Sequence, residues 1–388
     1  MSRRLATILA LSALTLCGLV APGASRAAAV DGDGMWIWYV SKSSGGTANG
    51  IAAKAARTNV KTVFIKSADG TSRWTQFNRP LVQALKARGL KVCAWQFVYG
   101  RNPKAEADRA AEAARAGADC TVIDAEGHYE GKYVSAQTYM TRLRRKVGPN
   151  YEVALTSFPY VHFHPGFPYS VFMGPGGAQV NLPQMYWKTI GTSVDTIYRN
   201  TWTYNKVYGR PIYPLGQTYS NPSSADVRRF RLLAGTYGAT GLSWWVWQFS
   251  GARQWTALGS PFSPFGTPVR RDTYPVLKRG YRSDLVVWLQ QHLMKAGLLR
   301  TVNGNYGSGT ETAVRAFQTS RGLYASGRMD PPTWQALLPV GPAAVKWGPK
   351  RTAIQVIAAG GRRVSAQPVP LNASRDARRN ELAGAPGR

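Results

Sequence analysis

The chain has 388 residues, a hydrophobic fraction of 44% and a formal charge of +30 at pH 7. Its length is enough for two domains, and its hydrophobic content is that of a globular protein. A charge of this size favours polyanionic partners. Lysine and arginine are spread along the whole chain without an aromatic-basic ribonucleoprotein motif, which disfavours nucleic acid as the partner.

Residues 1–29 have the pattern of a bacterial signal peptide. Two arginines precede the apolar run Leu5–Val20, and small residues end the segment at Ala29. The run is short for a spanning helix, and Leu16 before Cys17 is too bulky for a lipidation site. We therefore expect export without stable membrane insertion. The anionic polymers of the cell wall are then the first polyanions that the protein meets.

Two cysteines, Cys93 and Cys120, remain after the signal. This number is too small for a disulfide scaffold, so the hydrophobic core must supply the stability. The sequence leaves open whether the two residues pair or stay as buried thiols.

Strand-like runs alternate with amphipathic helical runs over residues 30–255. Eight strands in about 220 residues predict a (β/α)₈ barrel. An open doubly wound sheet would require a glycine-rich phosphate turn after the first strand, and Gly45-Gly46 lacks that pattern. The predicted strands are Met35–Val40, Thr62–Ser67, Lys91–Val98, Cys120–Glu126, Glu152–Phe158, Asn181–Trp187, Pro211–Thr218 and Gly241–Phe249. The predicted helices include Arg79–Arg88, Lys104–Ala116, Ala136–Lys146 and Ala225–Tyr237.

Candidate site residues follow from the barrel, because its chemistry lies at the C-terminal ends of the strands. Asp124 and Glu126 share one face of the fourth strand, with Cα atoms ~6.6 Å apart. Two carboxyls this close resist ionising together, so one can stay protonated and act as a general acid. We assign that role to Glu126, with Asp124 sharing its proton. The competing interpretation is a structural pair bonded to Lys66.

Two acids on one strand approach a scissile bond from the same side, so a nucleophile must come from elsewhere. Asp69 and Glu130 are candidate loop acids. The alternative is attack by the 2-acetamido oxygen of the substrate sugar, with Asp124 and Tyr186 steadying that group. The predicted substrate-binding residues are Lys66, Gln96, Gln184, Gln217, Trp245, Trp247 and Gln248.

Three motifs resemble known glycoside hydrolases. Asp124-x-Glu126 ending the fourth strand, and Trp247-Gln248-Phe249-Ser250 ending the eighth, resemble family 25 lysozymes. Gln184-x-Tyr186 resembles the Met-x-Tyr element of family 18 chitinases. The resemblance implies hydrolysis of a glycan, although the first strand lacks the aspartate of family 25. Val122 likewise replaces an aspartate of family 18.

Aromatic residues are dense in the barrel region, where sugar faces could stack on them. Strand alternation places about half of such residues in the core. The set is Trp36, Trp38, Trp95, Tyr186, Trp187, Trp244, Trp245 and Trp247. His162-x-His164 and His128 raise the alternative of a zinc amidase, but no third ligand is convincingly spaced, so we predict no metal or other cofactor.

A second domain is predicted over residues 274–339. Apolar residues recur at helical spacing and predict a three-helix core, and Thr310 is a candidate N-cap. The recurring motif residues are Leu277, Gly280, Asp284, Val286, Leu289, Gln290, Leu293, Gly297, Asn303, Gly304, Tyr306, Gly307, Thr310, Ala313, Val314, Phe317, Gln318, Gly322, Leu323, Gly327, Thr333, Trp334 and Leu337. This pattern resembles the type 1 peptidoglycan-binding domain, with candidate ligand contacts at Tyr306, Gln318 and Trp334.

The remaining segments are a predicted linker, residues 256–273, and a basic tail, residues 340–388, that we expect to be disordered. The combined prediction is a secreted, wall-associated protein that binds peptidoglycan and hydrolyses a glycosidic bond in it. The alternatives are a non-catalytic glycan-binding barrel and, third, a metal-dependent amidase. The sequence does not indicate an oligomeric state.

Overall fold

The computed structural model describes residues 28–261 and 273–348. The predicted signal peptide up to residue 27, the centre of the predicted linker and the tail beyond residue 348 lie outside the described residues. Within the described part of the chain, no helix is both long and apolar enough to cross a membrane.

Residues 28–261 form an eight-stranded parallel barrel surrounded by helices, which confirms the predicted fold class. Neighbouring strands pair in the order β7-β6-β5-β4-β2-β1-β9-β8, and parallel bridges at Asn181–Ile212 and Gln184–Leu215 close the ring. The two-residue strand β3 adds an antiparallel edge to β2. The strands are β1 (Gly32–Ile37), β2 (Val60–Asp69), β3 (Ser72–Arg73), β4 (Lys91–Val98), β5 (Cys120–Ala125), β6 (Glu152–Ser157), β7 (Val180–Pro183), β8 (Leu215–Gln217) and β9 (Gly241–Trp245).

The helices of the barrel alternate with the strands, and several begin at side-chain caps. Asn78 caps α2, Asn102 caps α3 and Ser223 caps α8, each by accepting a backbone N–H two or three residues into the helix. The helices are α1 (Ala48–Arg57), α2 (Arg79–Lys86), α3 (Pro103–Arg115), α4 (Tyr133–Val147), α5 (Tyr169–Phe172), α6 (Trp187–Ile190), α7 (Val194–Asn205), α8 (Ser224–Thr236) and α9 (Ala252–Gly259).

Period-two alternation along each strand separates an inner core from an outer one. The inner core is aromatic: Trp36 stacks on Phe64 at 4.9 Å and contacts Trp245 edge-on at 5.7 Å. Cys93 and Cys120 lie directly opposite each other on β4 and β5 and form a disulfide, which answers the question that the sequence left open. The outer core packs the other face of the sheet against the helices.

The C-terminal domain consists of α10 (Asp284–Lys295), α11 (Ser308–Ser320) and α12 (Pro331–Leu337). Val286, Leu289 and Phe317 are buried in its core, as the helical spacing predicts. The predicted cap at Thr310 is wrong, because α11 begins at Ser308. The Thr310 side chain instead accepts a hydrogen bond from Gln290 inside the domain.

The C-terminal domain packs directly on the barrel around the buried carboxylate of Asp284. This carboxylate accepts hydrogen bonds from the hydroxyls of Tyr133 (2.7 Å) and Tyr208 (2.8 Å) and from the hydroxyl (2.6 Å) and backbone N–H (2.8 Å) of Ser170. The indole of Trp288 donates to the carbonyl of Val207 at 2.6 Å. Apolar residues of both domains therefore belong to one continuous core.

Two predicted domain boundaries need correction. Helix α9 runs to Gly259, so the segment that joins the domains begins later than residue 256. The tail is ordered as far as it is described, because Trp347 is buried against Tyr133 with ring centroids 4.6 Å apart. The Trp347 N–H also donates to the Gln137 side chain at 2.7 Å. Both differences arise from contacts with the barrel surface, which the composition of the segments does not reveal.

Candidate active site at the barrel mouth

The two acids of the fourth barrel strand lie at the C-terminal mouth of the barrel. Asp124 is on β5 with the inward parity of Val122, and its side chain is 6% exposed. Glu126 follows the end of that strand and is partly exposed. The pair therefore has one buried member and one that reaches towards solvent.

Gln184 bridges the two acids. Its side-chain amide donates to Asp124 Oδ1 at 3.1 Å and to Glu126 Oε1 at 3.0 Å. The two N–H groups of one amide can serve two acceptors at once. The Gln184 backbone is itself fixed, since its N–H donates to the Ser157 carbonyl at 2.9 Å. This anchoring holds the amide where it orients both carboxyls.

The pKa of each acid is raised, and burial is the main cause for both. The negative charge of Glu126 raises the pKa of Asp124 further, while the more distant Lys66 opposes this. A hydrogen bond between the carboxyls raises the pKa of Asp124 and lowers that of Glu126. The hydrogen bond from Gln184 also lowers the pKa of Glu126. Two carboxyls in this arrangement resist losing both protons together.

The ammonium group of Lys66 forms an ion pair with Asp69. The two groups are 2.7 Å apart, and the other oxygen of Asp69 accepts a hydrogen bond from the Tyr99 hydroxyl at 2.7 Å. Three indole rings surround the ammonium group, with Trp74 nearest at 4.4 Å. This cationic group in the mouth is held by a carboxylate and by π faces.

Tyr186 and Trp245 complete the interior of the mouth. Burial raises the pKa of the Tyr186 hydroxyl, and the neighbouring Tyr219, Asp124 and Glu126 raise it further, so this hydroxyl stays protonated beside the acids. Trp245 contacts Trp95 edge-on at 5.3 Å and forms part of the floor. Ligand contact by either residue stays a prediction.

The side chains of three predicted substrate-binding residues, Gln96, Trp247 and Gln217, do not face the barrel mouth. Gln96 points to the helix layer, where it bonds the carbonyls of Gly70 and Glu106 and accepts from Tyr139. Trp247 packs outside the sheet on Trp255, with ring centroids 4.9 Å apart. These two side chains have no access to the mouth.

Gln217 is also not available to a ligand. Its side-chain oxygen accepts the backbone N–H groups of Lys188 and Thr189 at 2.8 and 3.2 Å, and it is fully buried. It therefore fixes the first turn of α6, which Tyr186 precedes. The prediction treated every polar residue at a strand end as accessible to a ligand. Gln217 is not accessible, because it is buried against α6.

Two donors at the mouth have no hydrogen-bond partner among the described residues. They are the Trp38 indole N–H and the Gln248 side-chain amide, both buried atoms. The Gln248 oxygen accepts the Trp38 backbone N–H at 3.4 Å, so the two side chains are neighbours. Unpaired buried donors carry a desolvation penalty that a ligand with acceptor oxygens would relieve. Gln248 thus remains a candidate contact, and Trp38 joins it.

Partly exposed aromatic residues form a rim that the sequence analysis missed. Each follows a strand end by one or two residues, and this position is the signal that the sequence offers. The rim consists of Tyr39, Trp74, Tyr99, Phe158 and Tyr219. By contrast, Trp187 and Trp244 pack on Phe230 in the outer layer.

The histidines considered for zinc have separate partners. His164 bonds Glu130 at 2.7 Å, whereas His162 stacks on Tyr204 with ring centroids 3.7 Å apart. Burial lowers the pKa of His162 to about 4. Residues 28–261 and 273–348 contain no cluster of three or more histidine, cysteine or acidic side chains placed to hold a metal ion.

The three ligand contacts predicted in the C-terminal domain are buried and serve its scaffold. The Tyr306 hydroxyl donates to the Gly327 carbonyl, and the Trp334 indole donates to the Pro275 carbonyl. The Gln318 amide joins its own helix to the loop before α12. The prediction that these residues contact a ligand is wrong, because the motif residues are buried in the core of the domain and do not form its binding surface.

Comparisons with known proteins give a family for the C-terminal domain. Residues 282–337 match the family described as putative peptidoglycan binding domain. A comparison with curated protein sequences found no match.

The barrel is similar in structure to several solved glycosidases. A class V chitinase from Pseudomonas fluorescens has a TM-score of 0.44 and 10% identity, over 59% of this chain and 98% of that one. A putative chitinase A from Streptomyces coelicolor has a TM-score of 0.43 and 14% identity, over 60% and 98%. An endo-β-1,4-mannanase from Thermotoga petrophila has a TM-score of 0.44 and 10% identity, over 60% and 76%. Structural similarity at this level of identity does not indicate the activity of this chain. The chain thus joins a (β/α)₈ barrel with a buried acid pair at its mouth to a C-terminal peptidoglycan-binding domain.

Proposed function

We propose that the barrel hydrolyses a β-1,4 glycosidic bond in peptidoglycan, with Glu126 as the general acid. The observation that carries this proposal is the proton-sharing pair of Asp124 and Glu126, bridged by Gln184 at the mouth of a barrel. Burial raises the pKa of both carboxyls, so the pair can hold a proton that passes to Glu126 and from there to a leaving sugar oxygen. The adjoining peptidoglycan-binding domain supplies the substrate class.

The nucleophile in this proposal is the 2-acetamido oxygen of the sugar. The other acids near the mouth are engaged, since Asp69 is paired with Lys66 and Tyr99, and Glu130 with His164. Glu126 gives its proton to the glycosidic oxygen while the acetamido oxygen forms a bond to the anomeric carbon and the leaving sugar departs. Water then attacks that carbon, the bond from the carbon to the acetamido oxygen breaks, and Glu126 takes a proton from the water.

Asp124 and Tyr186 act on the acetamido group. The protonated Tyr186 hydroxyl donates to its carbonyl oxygen, and Asp124 accepts its N–H as positive charge develops on the ring that forms. For this step the shared proton moves from Asp124 to Glu126, which leaves Asp124 as the carboxylate. Gln184 keeps the two carboxyls close enough for that transfer.

We further propose that the protein is exported and associated with the cell wall. The N-terminal pattern of residues 1–29, the Cys93–Cys120 disulfide and the formal charge of +30 support this localisation. Disulfides persist in oxidising compartments, and a strongly cationic protein is attracted to the anionic wall.

The test compares wild type with Glu126→Gln on purified cell walls, with reducing ends as the readout. We expect the substitution to reduce hydrolysis by about 10²–10⁴-fold while binding to the walls is retained. Glu130→Gln is the matched control, since Glu130 is an exposed acid four residues away that pairs with His164. Equal rates for wild type and Glu126→Gln would refute the assignment. Wall binding without reducing ends from either protein would favour the non-catalytic barrel, which the Val122 departure also favours.

A further inference from the structure

A row of aromatic side chains crosses the boundary between the barrel and the C-terminal domain. His162 and Phe163 lie in the loop after β6, with ring centroids 4.3 Å apart. His162 stacks on Tyr204 of α7 at 3.7 Å. Tyr281 of the C-terminal domain lies three residues before Asp284, whose backbone N–H donates to the carbonyl of Pro165 in the loop that carries Phe163. We call these four residues the aromatic seam.

One end of the seam reaches the barrel mouth. The loop that carries His162 and Phe163 begins at Phe158, a member of the aromatic rim directly after β6. Phe158 stacks on His164 with ring centroids 3.3 Å apart, and His164 bonds Glu130, which is four residues beyond the proposed acid Glu126. His164 therefore connects this loop to the segment that follows the proposed acid in the chain.

The other end of the seam lies on the peptidoglycan-binding domain. The Tyr281 carbonyl accepts the backbone N–H of Tyr306 at 2.8 Å, and the Tyr306 carbonyl accepts from Gly280 at 3.0 Å. Tyr281 is thus part of the backbone pairing that holds the Tyr306-Gly307 loop. The side chain of Tyr306 is buried, so Tyr281 is the aromatic residue that this edge presents to solvent.

The spacing between the two ends is fixed by direct contacts between the domains. The backbone N–H of Asp284 donates to the Pro165 carbonyl at 2.8 Å, which joins the start of α10 to the same loop that carries Phe163. The hydrogen bonds to the Asp284 carboxylate add to this connection. A ligand bound along the seam would meet both domains in one constant geometry.

Two side chains of the seam are exposed to solvent, unlike aromatic residues that pack in a core. Phe163 is 41% exposed and Tyr281 is 45% exposed, although both are large apolar side chains. Single exposed aromatic residues are common on protein surfaces, but a row that joins two glycan-directed regions marks an interaction surface. Sugar rings present apolar faces that stack on such side chains.

We propose that the aromatic seam binds a glycan strand continuously from the barrel mouth to the C-terminal domain, so that one polymer molecule occupies both. This inference rests on the proposed function for the identity of the polymer. It does not require that the barrel cut the strand. The recognised chemistry is the apolar face of successive β-linked amino sugars, and the binding should therefore strengthen with strand length.

The test measures binding in the Glu126→Gln background, where the ligand stays intact. Phe163→Ala and Tyr281→Ala each remove one exposed ring, and Tyr324→Ala is the matched control. Tyr324 is 89% exposed in the loop between α11 and α12 of the same domain. We expect each seam substitution to weaken sedimentation with insoluble peptidoglycan about fivefold, as for the loss of one stacking contact, and the control to leave it unchanged.

A length series gives the second readout. The unsubstituted seam should gain affinity for β-1,4-linked N-acetylglucosamine oligomers as they grow beyond the length that fills the mouth, and the seam variants should lose that gain. Equal length dependence in seam variants and control would overturn the inference, as would an equal loss in Tyr324→Ala. If Glu126→Gln hydrolyses walls like wild type, the proposed acid fails while the binding series still decides the seam.

Discussion

The buried Asp284 predicts a pH-dependent stability that one substitution should remove. Burial raises the pKa of this carboxyl from 3.8 to about 6, against the four hydrogen bonds that it accepts. Between these two pH values the folded protein holds a proton that the unfolded chain has released. Stability therefore falls as the pH rises through this window and becomes constant above about pH 6. The shift corresponds to about 3 kcal/mol.

The assay is reversible urea unfolding of wild type and Asp284→Asn from pH 4 to pH 8. Asparagine keeps an acceptor oxygen for the surrounding hydroxyls but does not titrate, so the difference between the two unfolding free energies should change by about 3 kcal/mol across the window. Taking the difference cancels the other acids whose pKa is raised, including Asp124 and Glu126. Asp226→Asn, a partly exposed acid on α8, should show no such change. A constant difference between wild type and Asp284→Asn would refute the reasoning.

Three further predictions concern the mouth. Gln184→Leu removes the bond that lowers the pKa of Glu126, so the alkaline limb of the pH–rate profile should move to higher pH and the rate should fall about tenfold, measured as reducing ends. Tyr186→Phe removes the proposed donor to the acetamido oxygen, and kcat should fall about a hundredfold with little change in thermal stability. Lys66→Met removes the ammonium group that pairs with Asp69, and the free energy of unfolding measured by urea titration should fall by about 2 kcal/mol. An unchanged value would show that the pair is energetically neutral.

The sequence was sufficient for the fold because the barrel repeats one simple pattern eight times. Strand β4 has the predicted bounds, and the inward parity of Asp124 follows from its spacing to Val122 and Glu126. Alternation alone did not show that Gln96 faces the helices while Asp124 faces the barrel interior, because both residues lie near the end of a strand. The contact of Gln96 with Tyr139 on α4 shows which face of the strand is outward. Strand β8 is three residues long, too short to indicate a parity at Gln217.

The contacts between the domains could not be predicted from local patterns. Asp284 reads in the sequence as an ordinary acidic residue in the first turn of a helix, where the helix dipole favours it. Its partners Tyr133, Ser170 and Tyr208 are between 76 and 151 residues away in the chain, on three different elements of the barrel. The ordered Trp347 has the same cause, since the side chain that it covers belongs to α4.

In the proposed hydrolysis, the fixed attachment of the C-terminal domain would change what that domain contributes. A domain on a flexible tether raises the local concentration of the polymer but leaves its direction free. A domain held through Asp284 and Trp288 also sets the direction of the strand relative to Glu126, which reduces the orientational freedom lost on reaching the transition state. The Asp284 contacts are therefore positioned to affect the cutting of long strands more than that of short ones, since only a long strand can reach both domains.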